Sequence, residues 1–462
     1  MIADLKPYSD YKPAGLPWLD SIPGHWAMAP NRALMSDRRD RVGEKANEYT
    51  LLSLTLGGVI PRDMENPKGK FPAQFNTYKV VRPNDFVFCL FDIDETPRGV
   101  GLSNHAGMIT GAYDVFSPTH RINPRFLYYY YLFVDQGKLM KPFYVGLRKT
   151  IQRGTFAGIK APLPPPDEQS AIVRFLDHWN GRLEKAIRSK RRVIALLQEQ
   201  KQAIIHKAVT KGLDPNVKLK DSGIPWLGEI PVHWELRRLR FCIHGKLSYG
   251  ANEAAEFDNP DWPRYLRITD FSSDGTLKSD TFRSLPPHIA KDYPVQDGDI
   301  LFARSGATVG KAFLVRTDTP NACYAGYLIR ARPKIDLVLP EFLFAFTQSL
   351  AFARWKDEIF SKATIQNIGA DKYSNLLVPI PRIEEQHKIL ENLASQNAPL
   401  TAAIARYERE ITLLREYRTR LTADVVTGKL DVRAAAAQLP DPEVETAEFE
   451  APEDEPELEE TE

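Results

Sequence analysis

The chain is poor in cysteine, in long apolar runs and in catalytic signatures. Only Cys89, Cys242 and Cys323 occur, scattered and without a CxxC pair. That usage argues against a disulfide framework or a cysteine-based zinc site and fits a reducing cytoplasm. No apolar stretch approaches the roughly 20 residues that span a bilayer. The strongest, FLYYYYLFV from Phe126, has nine residues and reads as a buried strand or helix segment. The opening MIADLKPYSD has no basic stretch followed by an apolar one, so no secretory signal is expected. GxSxG and HExxH are absent, and so is the Asn- or Asp-Pro-Pro-aromatic tetrapeptide of amino-methylating enzymes acting on DNA. SGATVGKAF from Ser305 fails the phosphate-loop pattern, which needs Gly at Ser305 and Ser or Thr at Ala312. It reads instead as a tight strand–loop–strand turn.

Metal chemistry is also thinly supplied. Asp92, Asp94 and Glu95 cluster in FDIDET, and Asp297 and Asp299 in QDGDI, but so few carboxylates without further oxygen ligands make a poor cation site. His25 and His233 have no second His or Cys close in sequence, so hydrogen-bonded structural roles are expected and no metal.

What is present is a hidden charge asymmetry. The formal net charge is only +1, yet the segment from Asp441 to Glu462 holds 12 acidic residues and no Lys or Arg. The other residues carry 61 basic against 48 acidic side chains, a net +13. A basic body suits a polyanionic partner, nucleic acid first among them. The acidic, Pro-rich tail is expected to be disordered.

The 462 residues are enough for two or three domains, and the chain says the same thing twice. GLPWLDSIPGHW from Gly15 returns as GIPWLGEIPVHW from Gly223, an offset of 208. PLPPPDEQ from Pro162 returns as PIPRIEEQ from Pro379, and TKGLD from Thr210 as TGKLD from Thr427, both at an offset of 217. So long a period is a duplicated module and not a solenoid.

After each Pro-rich corner comes a helical run. Leu183, Ile187, Ile194, Leu197, Ile204 and Ala208 form a heptad seam, and adding 217 gives Leu400, Ile404, Ile411, Leu414, Leu421 and Val425. Both seams are interrupted at matching places, by Lys190 and Tyr407 and by Lys201 and Arg418. Such narrow matched seams suit two helices packed on each other as a coiled coil, each a rod of about 65 Å at 1.5 Å per residue. Asp167, Glu168, Glu384 and Glu385 place negative charge at the helix N-termini, where the dipole favours it.

The regions between read as mixed α/β, with strands expected in TYKVV at Thr77, DFVFCLF at Asp85, DILFAR at Asp299 and KAFLV at Lys311. Their loops supply Arg98, Asn104, Arg148, Lys149 and Gln152 in the first half. The second half supplies Arg304, Ser305, Thr308, Lys311, Lys362, Thr364, Gln366 and Asn367. Arg and Lys suit phosphates and guanine edges, and Gln and Asn suit adenine edges. These thirteen are the candidate DNA-binding residues.

Taken together, GIPWLGEIPVHW after TKGLDPNVKLKDS, GDILFARSGATVGKA, TIQNIGADKYSNLLVPIPRIEEQ and TGKLD resemble the DNA-specificity subunit of type I restriction–modification systems. The resemblance spans most of residues 11–431, and the first variable region is its looser part. It implies an α+β fold in which two tandem α/β target recognition domains are separated by two long antiparallel coiled-coil helices, a pseudo-twofold internal repeat. The divisions are a first recognition domain at 1–161, a first spacer helix at 162–214, a second recognition domain at 215–378, a second spacer helix at 379–431 and the acidic tail at 432–462. It further implies a non-catalytic, cytoplasmic chain that reads a bipartite site in double-stranded DNA. Its partners would be two modification subunits that methylate adenine N6 and restriction subunits that translocate and cut. S-adenosylmethionine, ATP and Mg would belong to those partners, with no cofactor or metal in this chain. Trp18, Trp26, Trp226 and Trp234 would pack the junction between domain and helix or dock the modification subunits. The competing class is a non-catalytic scaffold with two protein-binding domains spaced by a coiled coil, for which a basic body has no use.

Overall fold

Two four-stranded antiparallel sheets carry the fold, one in each half. The structure, a computed structural model, describes residues 5–63, 75–272, 275, 277–278, 280–306, 308–316, 321–360 and 367–440. They divide into two compact units, one up to Ser189 and again from Glu410, the other Lys190–Arg409. The division therefore cuts through both long helices, whereas the sequence reading keeps each helix whole as a segment of its own. Lys362, Thr364, Gln366 and the acidic residues from Asp441 lie outside the described residues.

In the first unit the sheet comprises β1 (Met35–Asp37), β2 (Phe86–Phe88), β3 (Val100–Leu102) and β4 (Asp114–Pro118), in the order β1-β4-β2-β3. The register is fixed by Phe88 opposite Asp114 and Val100, and by Phe116 opposite Asp37. β2 is buried on both faces: Phe86 and Phe88 join the main core, and Val87 packs with Leu52, Val59, Val81, Ile109 and Val115 on the other. A strand covered on both sides needs no polar alternation, so DFVFCLF reads as a continuous apolar run. FLYYYYLFV resolves as helix α1 (Pro124–Gln136). Asn123 caps it by accepting from the Arg125 and Phe126 amides, and Pro124 sits where a missing N–H costs nothing. Phe126, Tyr130 and Tyr131 then bury against Trp26, Phe156 and Phe175 in one core. Helix α2 (Pro166–Lys211) follows.

The second unit repeats the plan with other residues. β5 (Ser248–Tyr249), β6 (Ile300–Ala303), β7 (Ala312–Leu314) and β8 (Leu328–Ala331) stand in the order β5-β8-β6-β7, again antiparallel throughout. β6 is likewise two-sided: Ile300 and Phe302 face the main core, Leu301 and Ala303 a second cluster with Phe271 and Phe313. The described residues of SGATVGKAF between Ser305 and Lys311 lie in the β6–β7 turn, as its spacing suggests. Helices α3 (Pro340–Thr347), α4 (Leu350–Phe360) and α5 (Ile383–Val426) complete the unit, α5 running on into the first.

The long helices run antiparallel. In the first unit Arg418 of α5 donates to Glu184 of α2 at 2.9 Å; in the second Lys201 of α2 donates to Thr401 of α5 at 3.1 Å. Adding 217 turns Glu184 into Thr401 and Lys201 into Arg418, so the repeat makes one contact twice. The interrupting pair also meets: the Lys190 ammonium lies 5.2 Å over the Tyr407 ring. Every residue of both seams is buried or half-buried. Among the described residues no helix is long and apolar enough to cross a membrane.

All three cysteines are free and buried. Burial pushes the Cys242 thiol up to about 11 and Cys323 up to about 12, and raises Cys89. At pH 8 the native chain should therefore react with a thiol reagent far more slowly than the denatured chain, which should release three equivalents. A fast native equivalent would contradict this burial.

Candidate nucleic-acid interface

The repeated phrases meet at the foot of each long helix. In the first unit Glu168, in the first turn of α2, accepts from Trp26 Nε1 at 3.0 Å and pairs with His25 Nε2 at 2.8 Å, and the Tyr8 hydroxyl donates to it as well. In the second, Glu385 accepts from Trp234 Nε1 at 3.0 Å and pairs with His233 Nε2 at 2.9 Å. The neighbouring glutamines are equally matched. Gln169 donates to the Pro164 carbonyl and accepts from the Asn123 amide at the cap of α1. Gln386 donates to the Pro381 carbonyl and accepts from the Leu339 amide at the cap of α3. One Glu-Gln pair thus ties Trp motif, Pro corner and recognition-domain helix together in each unit. Among the described residues no three or more His, Cys, Asp or Glu gather as a metal site.

The third repeated phrase closes this junction crosswise. Gly212, at the end of α2, lies against Trp234 and Glu385; Gly428, at the end of α5, lies against Trp26 and Pro23. Both have left-handed φ, +74° and +75°, and a Cβ on Gly428 would come within 2.3 Å of Pro23, so only glycine fits. Trp26 and Trp234 are buried. Trp18 is half-buried, donates to the Tyr130 hydroxyl at 3.2 Å and meets Phe143 edge-to-face, and Trp226 packs half-buried on the second core. All four tryptophans pack inside their own units.

Away from the helices, the exposed sheet end of the second unit gathers polar loop residues. Arg304 follows β6, Ser305 bridges to Asn367, and Thr308 and Lys311 lead into β7. The Arg304 guanidinium stacks 5.0 Å from the centre of the Tyr249 ring, and its amide donates to the Tyr327 carbonyl at 3.0 Å. Tyr249, closing β5, accepts from the Ala370 amide. Tyr327, just before β8, is 61% exposed. Sequence reading missed both tyrosines, because a lone aromatic at a strand end leaves no periodic mark. Among the described residues Arg304 Nε is buried without a hydrogen-bond partner. An arginine held by an aromatic face with donors to spare, beside an exposed tyrosine and amide and hydroxyl groups, can stack on and hydrogen-bond to nucleic acid.

The first unit's sheet end is built differently. Tyr113 stands just before β4, as Tyr327 stands before β8, and stacks on Phe91, over which Arg148 lies at 5.4 Å. Here the bases are largely matched by acids. Arg148 forks onto Asp92 at 2.8 and 3.1 Å, Lys149 pairs with Asp94 at 3.1 Å, and Arg153 pairs with Asp114. Lys149 holds the Asp94 carboxyl below its ordinary value. Arg98 is turned inward, donating to the Leu56 carbonyl at 2.7 Å and to Tyr128. Asn104 and Gln152 are exposed. Asp92 and Asp94 of FDIDET are thus engaged by basic side chains, and Asp299 of QDGDI by Arg332.

Comparison with known proteins points one way. The family described as the type I restriction modification DNA specificity domain matches residues 110–190 and 264–412. The chain is 26% identical over 304 residues to the specificity subunit of the type I restriction enzyme MjaVIII of Methanocaldococcus jannaschii, covering 61% of this chain and 65% of that one. It is 26% identical over 320 residues to the EcoBI specificity subunit of Escherichia coli, covering 63% and 65%. The chain thus spans just under two thirds of the length of these relatives. Its fold is similar to that of a chain solved in a study of type I R-M complex assembly and conformational transition, at a TM-score of 0.56 and 16% identity, covering 88% of this chain and 99% of that one.

Proposed function

The chain belongs to the type I restriction–modification DNA-specificity family, and from that membership we propose that it selects the DNA sequence on which a restriction–modification complex acts. Each unit reads one half of a split site. The observation that carries this reading is one sheet order built twice with unlike residues at its exposed end: an open Arg304–Tyr249–Tyr327 group in one unit, an acid-balanced Arg148–Phe91–Tyr113 group in the other. A shared scaffold with different tips suits two readers of two different sequences, so the site is asymmetric. Asn104, Gln152, Arg304, Ser305, Thr308, Lys311 and Asn367 are the strongest of the candidate contacts in this reading, and Arg98 serves the fold.

The chain is the non-catalytic member of the complex and works in the cytoplasm. Two modification subunits, using S-adenosylmethionine, methylate adenine N6 at the site, and restriction subunits, using ATP and Mg, translocate and cut. The twice-made junction offers one type of partner surface in two places.

Genome-wide mapping of N6-methyladenine, in cells expressing the chain with its methyltransferase against cells lacking only this chain, tests the reading. A split asymmetric motif present only with the chain is expected. With an active methyltransferase, an unchanged methylation map would end the proposal and favour a protein scaffold.

A further inference from the structure

In the second unit a small polar cavity of about 160 Å³ opens between the β6–β7 turn and the start of α4. Gly310, Lys311, Thr347, Gln348, Ser349 and Lys356 are among its lining, and among the described residues no carboxylate lines it. Neither lysine has an ion-pair partner among the described residues. Lys356 is half-buried, its ammonium 5.7 Å from the centre of the Phe352 ring. Burial pulls its pKa below the ordinary lysine value; Asp357 partly offsets this, and the nearby Lys311 adds to it. Gly310 has a φ of +78°, and a Cβ there would fall 2.2 Å from Lys356 Cδ. The absent side chain is what lets the lysine stem lie across the turn.

Two like charges beside an uncompensated polar cavity are a standing cost that an anion would remove. Size narrows the choice, since pockets for drug-sized ligands run to about 300–1,000 Å³ and a whole nucleotide would not fit. A single tetrahedral oxyanion would. Lys311 leads into β7 at the sheet end that carries Arg304 and Ser305, so the cavity adjoins the candidate interface. We infer that this cavity seats one backbone phosphate of the bound DNA, with Lys311 and Lys356 as its cationic walls. The inference rests on the DNA-reading function proposed above. The contact would set the position of the second unit on the duplex and carry no sequence information itself.

The test uses the full chain assembled with its methyltransferase partner, as wild type, as Lys356→Gln and as the more exposed Lys311→Gln. Duplexes with the mapped site and with a scrambled one are titrated across salt concentrations. Each variant should bind both duplexes about 10-fold more weakly, with the log–log salt slope reduced by about 1. A second arm measures thermal protection of the full chain by inorganic phosphate against chloride at equal ionic strength. Protection is expected in wild type and should be lost in both variants. Folded variants with wild-type affinity and slope overturn the inference while leaving the proposed function standing. A wild-type complex that binds no duplex overturns the function and the DNA source together. Phosphate protection lost in the variants would then mark a site for free oxyanions.

Discussion

Glu168→Ala should cost the first unit about 3–5 kcal/mol, against about 1–2 kcal/mol for Glu385→Ala in the second. Each buried donor left without its acceptor costs roughly 1–3 kcal/mol. Glu168 is 4% exposed and serves Tyr8, His25 and Trp26. Glu385 is 29% exposed and serves only His233 and Trp234, so water can replace part of what is lost. Urea unfolding followed by tryptophan fluorescence measures both. Equal costs would mean that burial does not set the difference, and a cost under about 1 kcal/mol for Glu168→Ala would mean that the junction is held by packing alone. Burial first, and Glu168 second, raise the Tyr8 phenol well above its ordinary value. A raised phenol gives stability that is whole below the unfolded tyrosine's pKa of about 10 and declines as pH climbs past it. The Tyr8 bond is therefore intact through neutral pH, and Tyr8→Phe should flatten the alkaline loss.

Asp299→Ala is the second large effect, at about 2–4 kcal/mol. Asp299 is fully buried and takes both arms of Arg332 at 2.8 Å, with the Gln296 amide on the same carboxylate. Its hydrogen bonds raise the Arg332 guanidinium's pKa against the pull of burial. Stripping one partner from a buried pair typically costs about 3–5 kcal/mol, and the 29% exposure of Arg332 trims that. Asp85 and Arg38 repeat the arrangement at 2.7 and 3.2 Å, with the Ser117 hydroxyl added. Asp297, two residues away, is exposed, so Asp297→Ala should leave stability within about 0.5 kcal/mol of wild type. If both variants lost stability equally and added Ca²⁺ raised the wild type's midpoint, QDGDI would be a cation site after all.

The duplicated plan was plain in the sequence because the junction is made of side chains that admit few substitutes. Trp26 and Trp234 need a carboxylate for their ring nitrogens, Gln169 and Gln386 span two backbone groups, Gly428 and Gly212 hold left-handed backbone, and a Cβ on Gly428 would crowd Pro23 and Trp26. Those demands surface as matched letters at fixed offsets, with the glycine of the third phrase displaced by one place. The coiled coil was legible through its seam, since helix–helix packing repeats every few residues. The loops gave up less. Arg148 and Asp92 are 56 residues apart, and nothing local says that they pair. Arg98 looks like any basic loop residue until the chain brings Leu56 to it. Lys356 lies on an ordinary helix, and only the turn carrying Gly310 gives it a cavity to face.

The crosswise junction has a consequence for synthesis on the ribosome. The second unit is one continuous segment, Lys190–Arg409, and can close as soon as it has emerged. The first begins earlier yet finishes last, because Trp26 waits for Gly428 and the Lys6 carbonyl for the Asp431 amide. At translation rates of about 5–20 residues per second, the nascent N-terminal core stays open for roughly 10–50 s after Ser189 has been made. During that interval its aromatic face is a client for chaperones, and a premature stop after Arg409 but before Gly428 would release a chain whose second unit is folded and whose first is not.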